Sequence, residues 1–172
     1  PAWSSLSSFI ELNIPLYANN RGQHWILHTQ TRGSWVAGYG LGSQLFSGDE
    51  SKLYAHRRIT PQARGYDTTA IRETFVAKDG TVVYLGGLGA YTAMLELRIP
   101  LPLLRNAVVP FVDLASVGDR DHTPWVKPFI SSGVGLRFSL FQQQFEGDIY
   151  IAIPFDMGVE HRFVGIGGGS RF

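Results

Sequence analysis

The chain has 172 residues, a formal net charge of +1, no cysteine, and only 17% charged residues beside 13% aromatic ones. Without cysteine there are no disulfides, no thiol catalysis and no cysteine-held metal, and so even a charge balance argues against nucleic acid as a partner. A soluble domain carries about 25% charge, yet no apolar run here approaches the ~20 residues that a transmembrane helix needs.

Few charges combined with a mean hydropathy near zero is what a transmembrane β-barrel gives, because lipid-facing and lumen-facing residues alternate and average out. The sequence opens on Pro1 rather than Met, with no secretory signal among its residues. A bacterial barrel needs one for export, so the expectation is a processed chain or the C-terminal part of a longer protein.

In chain order, seven segments alternate with a period of two, the signature of half-buried strands. Phe9–Tyr17 places Ile10, Leu12, Ile14 and Leu16 on one face and Glu11 and Asn13 on the other. After the turn Asn19-Asn20-Arg21-Gly22 comes His24–Ala37, with Trp25, Leu27 and Trp35 opposite His28, Gln30, Arg32 and Ser34. Ten residues at ~3.3 Å each, tilted ~45°, climb roughly 23 Å. That spacing suits Trp25 and Trp35 to the two aromatic girdles of an outer-membrane barrel. Two tryptophans on one face of a soluble sheet would give the same pattern.

A long insert, about 38–89, follows and contains Arg64-Gly65-Tyr66-Asp67. Five further segments complete the chain. Tyr91–Ile99 sets Tyr91, Ala93, Leu95, Leu97 and Ile99 against Thr92, Glu96 and Arg98. Val108–Ala115 sets Val108, Val112 and Leu114 against Phe111 and Asp113, and Phe129–Leu140 sets Ile130, Val134, Leu136 and Phe138 against Ser131, Gly133, Gly135 and Arg137. Asp148–Phe155 alternates Ile149, Ile151, Ile153 and Phe155 with Asp148, Tyr150 and Ala152. The last, Arg162–Phe172, is weakened by Gly165 and by Gly167-Gly168-Gly169 before the terminal Phe172.

Alternation alone fits a soluble β-sandwich as well as a barrel. Connection lengths favour the barrel, since short and long links alternate as periplasmic turns and extracellular loops do. Seven strands do not close a lumen-bearing barrel, and an open edge in lipid leaves backbone groups unsatisfied at several kcal/mol each. The missing strands are therefore expected from the rest of the protein or from another chain.

Glu96 and Asp113 fall on the faces that alternation assigns to the lumen, where unpartnered carboxylates are costly. Arg64, brought inward by the insert, would meet them with bidentate geometry, with Gly65 turning the backbone and Tyr66 wedged against the wall. Arg98 and Arg137 are competing partners for the same carboxylates.

This arrangement resembles the C-terminal barrel of the BamA–TamA–FhaC superfamily of outer-membrane protein insertases and translocases. The resemblance covers essentially the whole chain, 1–172, as the last seven strands of a sixteen-stranded antiparallel transmembrane β-barrel; the earlier strands and the periplasmic POTRA domains lie outside it. It implies that Arg64, Gly65, Tyr66 and Asp67 form the tip of a loop inserted in the lumen, and that Glu96 and Asp113 are its acidic acceptors. It implies, too, a loosely paired terminal strand that opens laterally, carried here by Gly165, Gly167, Gly168, Gly169 and Phe172. Gly167 to Phe172 follows the family's terminal signal except at Ser170, where an aromatic is usual. The implied setting is a bacterial outer membrane, with the lipid bilayer, client polypeptides and accessory assembly subunits as partners and no cofactor. A passive pore or adhesin barrel and a soluble β-sandwich binding module are the alternatives.

Catalysis is not expected. His24, His28, His56, His122 and His161 are scattered, and His24 and His28 on one strand face would lie ~13 Å apart, too far to share a metal. No nucleophile elbow or phosphate loop is present, and Gly86-Gly87-Leu88-Gly89 reads as punctuation before a strand.

Overall fold

The computed structural model describes residues 3–20, 22–38, 61–67, 71, 73–76, 82–85, 89–101, 106–118, 128–140, 145–156 and 162–170. Among the described residues the fold is all-β, without helix. The strands are β1 (Trp3–Ala18), β2 (His24–Gly38), β3 (Glu73–Val76), β4 (Val82–Leu85), β5 (Gly89–Pro100), β6 (Ala107–Gly118), β7 (Phe129–Leu140), β8 (Phe145–Pro154) and β9 (Val164–Ser170).

Seven of these form one antiparallel sheet in the order β1-β2-β5-β6-β7-β8-β9, and β3 pairs with β4 in a separate hairpin. The sheet is a meander, each strand beside its predecessor, interrupted only where the insert between β2 and β5 leaves and returns. The seven alternating segments are its strands. The β3–β4 hairpin falls inside what the sequence presented as loop.

Turn chemistry sets the first register. Asn19 Oδ1 accepts from the Gln23 amide at 3.0 Å, the Asn19 amide donates to the Gln23 carbonyl at 2.9 Å, and Gly22 sits at φ +73°. A left-handed residue in a tight hairpin favours glycine, which has no Cβ to clash. From this turn, β1 and β2 pair from Ala18↔His24 out to Trp3↔Gly38. A register shift between Pro15 and Tyr17 marks a bulge and turns Tyr17 onto the face of Trp25. Their rings meet edge to face at 6.0 Å.

The registers align side chains in rows that run across the sheet. One row runs Leu12, Thr29, Leu95, Val112, Ser132, Ile153; another runs Ile99, Val108, Leu136, Ile149, Ile166. These side chains share one face, and that face is bare: Leu12 is 51% exposed, Ile151 57% and Ile166 80%. A β-sheet ordinarily buries its apolar face against a second layer, and monomeric soluble proteins rarely expose apolar patches beyond a few hundred Å². Among the described residues nothing covers this one.

The opposite face carries the buried groups. Asn13, His28, Glu96, Phe111, Gly133 and Ala152 form one row across it, with Gln30, Met94, Asp113, Ser131 and Pro154 in the next. The segment 61–67 crosses this face, and Ala63, Tyr66 and Ile71 cluster with Ala115, Val117 and Phe129.

Two glycines make room for aromatic rings. A Cβ on Gly133 would stand 2.6 Å from Phe111 Cζ and 2.1 Å from the Ile151 carbonyl oxygen, and one on Gly165 would stand 2.2 Å from the Tyr150 ring. The rings cover glycines that would otherwise weaken the strands. Gly133→Ala is expected to lower stability by about 1–3 kcal/mol, the usual cost of overpacking. The denaturation midpoint checks this, and an unchanged midpoint would show that both the Phe111 ring and the β8 backbone at Ile151 give way.

Candidate functional site

The site starts from a turn. The Tyr66 amide donates to the Ala63 carbonyl at 3.3 Å, and Gly65 has φ +92°. A four-residue turn with positive φ at its third position is the type II arrangement, which favours glycine there. The order Arg-Gly-Tyr follows. Arg64 and Gly65 make the corner, and Tyr66 leaves it. A side chain at Gly65 would also press on the strands, since its Cβ would lie 3.1 Å from Ala152 Cβ and 3.3 Å from Ser131 Cβ. Ser131 and Ala152 are fully buried, and these small residues form the notch that accepts the turn.

Arg64 is clamped from several sides. Its Nε and Nη2 donate to the two carboxylate oxygens of Asp113, each at 2.7 Å, and its own amide adds a third bond to Asp113 at 3.0 Å. Nη1 reaches Glu96 Oε1 at 2.8 Å. The Ser131 hydroxyl donates to the Arg64 carbonyl. The guanidinium lies over the Phe111 ring, 3.6 Å from its centroid, with the Tyr150 ring 5.9 Å away. Phe111 and Tyr150 meet edge to face at 6.0 Å.

Sheet register explains how one arginine meets both acids. Glu96 lies opposite Phe111 and Met94 lies opposite Asp113, so the two carboxylates are diagonal neighbours on adjacent strands. Such positions stand ~7–8 Å apart, a gap that a guanidinium fork spans. Burial of this group pulls its pKa down, but the hydrogen bonds and the charges of Asp113 and Glu96 outweigh that and raise it. Arg64 therefore stays charged.

The two acids are not equivalent. Glu96, 1% exposed, also accepts from Arg98 Nε at 3.2 Å and from Arg137 Nη2 at 3.3 and 3.2 Å. Both expected classes of partner thus meet at Glu96. Among the described residues, Asp113 receives hydrogen bonds from Arg64 alone.

Tyr66 is 5% exposed, edge to face with Phe129 at 5.7 Å, and its hydroxyl donates to the Ile130 carbonyl at 2.7 Å. Asp67 lines a cavity of about 290 Å³ together with Gln62, Met94, Arg137, Asp148 and Tyr150, beside the ion pairs. His28 is buried against Asn13, with Nδ1 2.8 Å from Asn13 Oδ1, while His24 on the same strand is exposed. Among the described residues, no group of three or more His, Asp or Glu converges on one point.

Of the remaining expected residues, Trp25 and Trp35 share the bare apolar face, with Trp35 48% exposed. Gly165, Gly167, Gly168 and Gly169 pair along β8 opposite Tyr150, Asp148, Gly147 and Glu146. Phe172 lies outside the described residues. Sequence reasoning did not find the Phe111 ring beneath Arg64 or the Ser131–Ala152 notch. Small residues at 131, 133 and 152, aligned beside Phe111 by register, were the available signal.

No protein-family model and no curated protein matches the chain.

The asymmetry of the acids gives a test with opposite signs. Removing one partner of a buried ion pair costs about 3–5 kcal/mol, so Arg64→Ala should destabilise strongly by leaving Asp113 charged and alone. In that background Asp113→Asn should recover stability, because it removes the orphaned charge. Glu96→Gln should deepen the loss, because Arg98 and Arg137 then lose the carboxylate that both of them meet. Unfolding midpoints of the two double variants decide the matter; equal effects would refute the assignment.

Proposed function

We propose that the chain forms part of a transmembrane β-barrel in a bacterial outer membrane, and that this barrel assists insertion or translocation of other polypeptides without nucleotide or cofactor. The observation that carries the reading is the two-sidedness of the sheet: an uncovered apolar face spanning seven strands, backed by a face holding buried charges and an inserted loop. Lipid accepts the first face at no cost, and a closed barrel is one of the two architectures that leave no backbone group unsatisfied in hydrocarbon. The second face then lines the lumen, with β1 and β9 completed by further strands.

Strand lengths agree. β5, β6 and β7 have 12 residues each, which at ~3.3 Å rise and ~45° tilt climb roughly 28 Å, close to the ~25 Å apolar band of such barrels. Trp25 and Trp35 then sit near the two edges of that band.

The resemblance to the BamA–TamA–FhaC superfamily is supported by the loop-tip arginine, which meets an acid on each of the two sheet strands following the insert. What favours an insertase over a passive pore is the end of the sheet. Four of the seven described residues of β9 are glycine, Gly165 and Gly167 to Gly169. A weakly held strand at the closing seam thins the adjacent bilayer and, when the seam opens, offers its backbone groups to a client strand, which adds by β-augmentation. The partners are therefore lipid and unfolded outer-membrane or secreted polypeptides.

The 172 residues contain no cysteine, so a cysteine in β9 and one in the strand that closes the barrel against it would be the only thiols there. Oxidising that pair in proteoliposomes should abolish client insertion, and reduction should restore it. Full insertion by the locked barrel would contradict the proposal.

A further inference from the structure

The tip of the inserted segment touches more than the acids. The Gly65 carbonyl accepts from the Arg162 amide at 2.9 Å, two residues before β9 begins. The Tyr66 hydroxyl accepts from the Asp156 amide at 3.3 Å, two residues after β8 ends, while donating to the Ile130 carbonyl. That carbonyl also accepts from the Phe155 amide at 2.9 Å, so the hydroxyl is stitched into the end of the β7–β8 ladder. One turn therefore holds the chain on both sides of the β8–β9 connection, and beside it the Ala152 amide donates to the Phe163 carbonyl at 2.8 Å.

Among the described residues, little else holds β9. Its pairing to β8 covers Val164 to Ser170, and four of those residues are glycine. Tyr150 over Gly165 is its described side-chain anchor. A short strand with few apolar contacts opens at low free-energy cost, so the hydrogen bonds at its first residues weigh heavily in its population.

We propose that the Arg64–Tyr66 turn is a positioning element for β9, coupling the ion-paired seat of the loop on β5 and β6 to the pairing of the terminal strand on β8. With Arg64 seated, Gly65 fixes the entry to β9 and Tyr66 the exit from β8, so the turn holds both ends of their connection. When the turn lifts, both contacts are lost together and β9 frays from its first residue. Tyr66 acts here through its hydroxyl rather than through its ring. The consequence for client insertion rests on the insertase reading; the coupling itself does not.

Hydrogen exchange of the full chain in lipid nanodiscs tests this. Tyr66→Phe keeps the ring and its contact with Phe129 but deletes the hydroxyl. Losing one hydrogen bond of ordinary strength should accelerate exchange roughly three- to tenfold at Ala152 and along β9, with β5 and β6 unchanged. Arg162→Pro, which removes the donor to Gly65, should give the same pattern by an independent route. Unchanged β9 exchange in both variants, or equal acceleration across β5, β6 and β9, would overturn the coupling. Acceleration confined to β9 with client insertion unaltered would uphold the coupling and count against β9 as the seam.

Discussion

The bare apolar face of the sheet is the feature on which the rest depends, and the proposed membrane would cover it with hydrocarbon. Seven strands present leucine, isoleucine and valine in registered rows, with no second layer above them among the described residues. In water that face would drive collapse or association, at roughly 25 cal/mol for each Å² of apolar surface left exposed. In a bilayer it costs nothing. On the proposed membrane reading, the same condition forbids open edges, so β1 and β9 would pair with further strands.

The polar face obeys a different economy. Two carboxylates close together on adjacent strands repel each other and need cations, and the strands themselves supply two, Arg98 and Arg137, both directed at Glu96. Asp113 is served by the loop. That division makes the loop conditional: with Arg64 withdrawn, one acid stays neutralised and the other does not. A buried ion pair is weak evidence for net stability, and fixing a register is its best-attested use. Here the register is set by a type II turn whose glycine fits between Ser131 and Ala152. The aromatic floor of Phe111 strengthens the seat, since a guanidinium over a ring gains energy where water is excluded.

The faces were legible in the sequence because period-two alternation survives in every long strand. Arg64, Glu96 and Asp113 could be grouped because lumen-side parity left two acids in need of a cation. What was not legible has physical reasons. The start of β1 is rich in serine, Ser4-Ser5 and Ser7-Ser8, which reads as loop; pairing with β2, not local preference, makes it strand. The bulge near Leu16 changes parity within one strand, which no periodicity shows. The β3–β4 hairpin joins two short β-rich runs, and Asp79-Gly80 between them was the hairpin signal that could have found it. The double service of Glu96 needs distances, because alternation places Arg98 and Arg137 on the correct face without saying which acid they meet.

The contact between lipid and the apolar rows is best measured residue by residue. Single cysteines carrying nitroxide labels, placed at Leu95, Val134 and Ile151 on one face and at Gln30 and Thr92 on the other, would report collision with oxygen dissolved in the bilayer and with a water-soluble relaxation agent. Dominant oxygen access at the first three and dominant aqueous access at the other two is the predicted result. Aqueous access at Leu95, Val134 and Ile151 would place that face in water and contradict the membrane assignment.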